Sequence, residues 1–158
     1  MKRTLTAILT ALALCGAAAA PAIADDASLK RATEQGQRGV KAPLRGFQKA
    51  LDTLDADRPS SARNVQVATR KLRTAVARYA ESVAAEDASS ARFARARKAL
   101  LKGLRTQLAG LTIYDRGIGQ LLAGKAEQAR RTLKAAGRKF DQSVKQLEGA
   151  EGTLIAKD

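Results

Sequence analysis

The chain has 158 residues, with 29 Lys and Arg against 15 Asp and Glu and a formal net charge of +14. It contains 12 glycines, one cysteine, one methionine, and no histidine or tryptophan. Imidazole catalysis, an intrachain disulfide framework and the usual haem or zinc ligand sets are thereby excluded, and the excess positive charge points to anionic partners.

Met1, Lys2 and Arg3 precede an apolar run from Leu5 to Ala20, and Ala22-Ile23-Ala24 stands immediately before Asp25-Asp26. A short basic start, a short apolar run and a small-x-small site form the pattern of a secretory signal peptide. Cleavage is expected near Ala24, leaving residues 25–158 as one exported domain, periplasmic or secreted, with no transmembrane segment. Cys15 follows Leu14, where a lipoprotein signal wants a small residue, so lipid anchoring is not expected. Loss of Lys2 and Arg3 would lower the net charge from +14 to +12, and the only cysteine and methionine would leave with them.

The first predicted helix covers about 28–56, because Val40, Leu44, Phe47, Leu51 and Leu54 recur in steps of four and three. Pro43 lies inside that pattern, where it either kinks the helix or marks the start of its regular part. Gly36 and Gly39 weaken the preceding turns, so a frayed or separately angled start is expected. Asp57-Arg58-Pro59-Ser60-Ser61 reads as a turn, with the serines capping the next helix. That second helix, 61–86, places Val65, Thr69, Leu72, Val76, Tyr79 and Val83 on one face.

Asp87, Ser89 and Ser90 offer an N-cap for a third helix, 88–123, carrying Phe93, Leu100, Leu104, Leu108 and Leu111. Its end is read at Gly124-Lys125, with a kink near Gly117; the alternative turn is Asp115-Arg116-Gly117. On the first reading the helix is roughly 52 Å long and overhangs a partner of roughly 39 Å, at 1.5 Å per residue. The fourth helix, 125–150, aligns Ala126, Leu133, Phe140, Leu147 and Leu154. The expected architecture is all-α, an antiparallel up-down-up-down four-helix bundle made of two helical hairpins.

Two rows of small residues recur every seven positions: Gly103, Gly110, Gly117 and Gly124, then Ala129, Ala136, Ser143 and Ala150. Seven residues are nearly two helical turns, so each row follows one line of its helix. Glycine costs up to about 1 kcal/mol per helical position relative to alanine, so such a row signals close backbone approach. Chain reversal at Gly124 would set the glycine row against the alanine row, small facing small.

From Gly117 to Ala136 the chain resembles a single tetratricopeptide repeat, with small residues at Gly117, Gly124, Ala129 and Ala136 and a large one at Leu133. Arg116, Gln120 and Asp141 depart from that pattern, and one repeat cannot bury its own face. The resemblance therefore implies a helical hairpin and carries no binding function.

Asp115 falls on the apolar arc of helix three. A continuous helix would turn it inward to form a buried interhelical ion pair; a break there would make it an N-cap. Asp52, Asp55 and Asp57 lack the further oxygen ligands of a calcium loop and are expected to face Lys125, Arg130 and Arg131.

The densest basic run is Arg92, Arg95, Arg97, Lys98, Lys102 and Arg105; a second comprises Arg130, Arg131, Lys134, Arg138 and Lys139. Both fit docking surfaces for phosphate or carboxylate polymers, and both also fit merely solvated faces. Phe93 and Phe140 occupy core positions, which leaves no stacking platform for nucleic-acid bases.

No nucleophile-base set, catalytic carboxylate pair, phosphate loop, cofactor site or metal site emerges. The expectation is an exported non-catalytic interaction protein whose basic faces meet anionic envelope polymers or lipid head groups. A structural, homo-oligomerising protein is the alternative, and extracytoplasmic nucleic-acid binding comes third.

Overall fold

The computed structural model describes residues 24–54 and 58–155, with side chains described at 26–54, 58–148 and 150. The signal-peptide expectation rests on a segment that lies almost entirely outside the described residues, as do Asp55 and Asp57. Four helices follow one another: α1 (Ala24–Asp52), α2 (Pro59–Ala85), α3 (Ala91–Leu122) and α4 (Ala126–Ile155). The fold is the expected all-α four-helix bundle. Consecutive helices pack most closely, α3 with α4 above all.

Helices of 29, 27, 32 and 30 residues are nearly matched, so the expected overhang of the third helix does not arise. α1 begins before position 28 and ends at Asp52, closing with Thr53 N–H to Lys49 O at 3.2 Å and Leu54 N–H to Leu51 O at 3.1 Å.

Neither proline nor glycine breaks α1. Pro43 crowds the carbonyl four residues earlier, and that carbonyl belongs to Gly39, which has no side chain to hinder adjustment. Gly36 is a packing seat rather than a weak point: a methyl group there would overlap the Tyr79 ring of α2.

The expected serine cap of α2 is also replaced. Arg58 is the N-cap and Pro59 the first helical residue, where its missing N–H costs nothing. Ser61 turns back, donating from its hydroxyl to Arg58 O at 2.7 Å. At α3 the cap is Ser90, whose Oγ accepts the Phe93 N–H at 3.2 Å.

α3 runs unbroken through Asp115 and Gly117, which excludes the alternative turn there. It ends where glycine permits a left-handed residue, with Gly124 at φ +73°. Gly124 N–H donates to Leu121 O at 3.0 Å and Lys125 N–H to Gln120 O at 2.9 Å, the two bonds of a Schellman cap.

The α3/α4 seam corrects the pairing of rows. A methyl group at Gly103 would lie 2.6 Å from Leu147 Cδ2, one at Gly110 2.7 Å from Phe140 Cε1, and one at Gly117 2.7 Å from Leu133 Cδ2. The glycines therefore receive the large row of α4 as knobs into holes, where small against small would have left a void.

The alanine row is buried alongside, with Ala129, Ala136, Ser143 and Ala150 all at 2% exposure or less. Ser143 donates from Oγ to Gly103 O at 3.0 Å, bonding the two helices directly. A methyl at Gly103 or Gly117 would also come within 3.4 Å of an α4 backbone nitrogen, so the two backbones are in close approach.

Phe47, Tyr114 and Phe140 link three helices through the core. The Phe47 and Tyr114 centroids are 5.6 Å apart at 80°, and those of Tyr114 and Phe140 are 6.3 Å apart at 46°.

Candidate functional site

The α3/α4 register fixes where the basic residues stand. Each step of seven along α3 is matched by seven back along α4, so Lys145 lies at the level of Arg105, Arg138 at that of Thr112, and Lys134 at that of Arg116. The two predicted basic runs therefore do not coincide: one occupies the start of α3 and the other the opposite end of the hairpin. Lys145 and Arg116, absent from both predicted runs, stand at the ends of the interval between them; Arg105 and Lys145 are each two residues, about 200° of helical turn, from the residues that meet at the seam, so they project away from it on opposite sides.

On α3 the exposed cations are Arg95, Lys98, Lys102, Arg105 and Arg116, and none of them has an ion-pair partner among the described residues. Asp115 is the only acid on this helix, and it is engaged elsewhere. Arg92 is half-buried and has interactions of its own. Arg97 belongs to the fold: its Nε donates to Val83 O at 3.1 Å and a terminal nitrogen to Ala84 O at 2.7 Å, satisfying carbonyls at the end of α2.

On α4, Arg130, Arg131, Lys134 and Arg138 are exposed and Lys139 is half-buried, its Nζ donating to Gln142 Oε1 at 3.4 Å. Acids punctuate this helix. Glu127 pairs with Arg130 at 3.7 Å, both strongly exposed, while Asp141 and Glu148 are also exposed. Asp52 is exposed and makes no ion pair with Lys125, Arg130 or Arg131. α3 is thus the more strongly cationic helix of the hairpin.

Asp115 is held between two helices. Arg70 Nε of α2 lies 3.2 Å from Oδ1 and 3.3 Å from Oδ2, and an Arg73 terminal nitrogen lies 3.9 Å from Oδ2. The side chain is 16% exposed and those of the arginines 57% and 41%, so this is an ion pair at the rim of the core rather than a buried one. Residue 115 sits on the flank that faces α2, and an N-cap role is excluded because the helix continues through it.

Three further polar features escaped the sequence. Asp26, only 4% exposed, accepts the Ser89 N–H at 3.0 Å and ties the start of α1 to the α2–α3 loop. Gln107 is 3% exposed with its Oε1 unpartnered among the described residues. Tyr114 has its hydroxyl pKa pushed up to about 12 by burial. The apolar period could have flagged Gln107, which shares the stripe of Leu104 and Leu111; nothing local marks Asp26.

An open groove of about 610 Å³ runs between α1 and α2, lined by Pro43, Gly46, Val67 and Ala68 among others, with Lys49 and Lys71 at its margin. No convergent set of acids, nucleophile or base stands in it. No group of three or more His, Cys, Asp or Glu side chains among the described residues could hold a metal ion. No described helix is long and apolar enough to cross a membrane. Compared with protein-family models, curated proteins and solved structures, the chain matches none.

Proposed function

We propose that the protein is an exported, non-catalytic helical bundle of the cell envelope or extracellular space, and that it contacts anionic polymers or lipid head groups through its basic faces, that of α3 foremost. The observation that carries this reading is the line of Arg95, Lys98, Lys102 and Arg105, exposed and without carboxylate partners among the described residues. A merely solvated helix face gains from alternating charges, whereas an unrelieved row of cations repels itself and favours an anion laid against it. The absence of histidine from the sequence, with the single cysteine in the leader, supports the non-catalytic part.

The test compares two variants of equal net charge on an anionic matrix such as heparin. Lys98→Glu with Lys102→Glu should elute at much lower salt than the wild type, while Arg31→Glu with Lys41→Glu, on exposed positions of α1, should shift far less. Equal shifts would mean that net charge alone is read, and the proposal fails. Export is checked separately by the N-terminal residue of the protein recovered from the secreted or envelope fraction, expected near Asp25. Burial of the α3/α4 small-residue rows within the hairpin favours this reading over self-association through them.

A further inference from the structure

We infer that the groove between α1 and α2 docks an amphipathic helix of another protein, one that carries large apolar residues along one face and carboxylates beside them. This surface is separate from the cationic row of α3, and nothing in it depends on the anion-binding reading above. The groove runs about 15 Å from Pro43 to Thr53, at 1.5 Å per residue. Gly46, Ala50 and Ala68 give it a floor of small residues, and a methyl group at Gly46 would meet nothing within 4 Å.

The other hairpin shows what such a hollow receives. At the α3/α4 seam Gly103, Gly110 and Gly117 are each met by a leucine or phenylalanine of α4. Gly46 is also a helical glycine, standing where alanine would be better by up to about 1 kcal/mol, yet no side chain of the described residues fills the space over it. Val67 stands on the α2 wall at 52% exposure, the exposed large hydrophobic residue among the described residues. A hollow and an apolar wall that face solvent over three helical turns match helix-in-groove recognition, in which the anchors of the incoming helix recur in steps of three and four.

Charge selects the partner. Lys49 and Lys71 are exposed, one on each wall; no carboxylate lines the groove, and neither lysine has an ion-pair partner among the described residues. Carboxylates flanking the apolar anchors would meet both. A second copy fits poorly, because its net charge of +14 repels and Val67 is the exposed large hydrophobic residue it offers among those described. A small ligand also fits poorly, because a groove open along its length leaves one side of the ligand in water, whereas small-molecule sites enclose most of it.

The experiment follows the fluorescence anisotropy of labelled peptides of about 18 residues, long enough to hold a helix. The first peptide sets leucines in steps of three and four with glutamates beside them, the second carries lysine for every glutamate, and the third scrambles the order of the first. The salt is about 0.15 M, where exposed charges more than about 8 Å apart are largely screened. The first peptide should bind the purified protein, and the other two should bind at least about tenfold more weakly. Gly46→Leu, which fills the hollow, and Lys49→Glu with Lys71→Glu should each weaken the first peptide by about tenfold or more. Lys98→Glu with Lys102→Glu, the same charge change placed on α3, should leave its affinity within about twofold. The lysine pair keeps the test independent of any folding defect in Gly46→Leu.

Equal binding of the scrambled peptide, or an equal loss from the α3 pair, would mean that charge alone is read and overturns the inference. So does undiminished affinity in Gly46→Leu, or no binding of the first peptide. A concentration-dependent mass abolished by Gly46→Leu would make the groove an interface between copies, and tighter binding of dodecanoate than of the peptide would make it a lipid site; either result overturns it as well.

Discussion

Gly110→Ala adds one methyl group to the middle of α3, and its effect measures how closely α4 approaches. The added carbon would lie 2.7 Å from Phe140 Cε1, 2.9 Å from Cδ1 and 3.3 Å from Lys139 Cβ. Phe140 cannot simply swing aside, because its ring is buried against Tyr114. The control is Gly46→Ala in the C-terminal part of α1, where a methyl meets nothing within 4 Å.

Both replacements relieve the helix penalty of glycine, by up to about 1 kcal/mol. Only Gly110→Ala also overpacks the seam, at about 1 to 3 kcal/mol. Gly46→Ala should therefore stabilise the bundle and Gly110→Ala should fall below it by about 1 to 3 kcal/mol, with Tm differing by roughly 4 °C per kcal/mol. Urea titrations followed by circular dichroism measure this directly. Phe140→Leu in the Gly110→Ala background should recover part of the loss. Equal stabilisation by the two alanines would refute the close-packed seam.

Burial of Tyr114 makes a pH prediction. Its hydroxyl ionises near 12 in the folded protein against an ordinary value of 10.0, so the stability it contributes is whole below pH 10.0 and is lost as pH rises toward 12. Tyr114→Phe should remove an alkaline destabilisation of at most about 3 kcal/mol, read as the difference between wild-type and variant melts across that window. Asp115→Ala should cost only about 1 kcal/mol, because both arginine partners stay well solvated once the carboxylate is gone. A loss above about 3 kcal/mol would mean a buried charge had been orphaned. Gln107→Leu should stabilise by about 1 to 2 kcal/mol in chemical denaturation by removing an unmet buried carbonyl; destabilisation would show that the amide is satisfied.

Much of this molecule is local and was therefore legible along the chain. Steps of three and four placed Val65, Leu72, Val76 and Val83 on one buried face, and every one is below 2% exposed. Gly124 ended α3 because few other residues accept a positive φ, a property of one residue. The same periodicity put Lys98, Lys102 and Arg105 on the outer face.

What lies across a seam was not legible. Periodicity says which side chains share a face, but the axial offset and rotation between two helices belong to the pair and depend on both surfaces at once. That offset sent Leu133, Phe140 and Leu147, rather than alanines, into the glycine holes. It also brought Arg70 to Asp115. Composition and period thus determined four helices with a cationic surface, and only tertiary packing decided which side chains fill the seams and which charges meet across them.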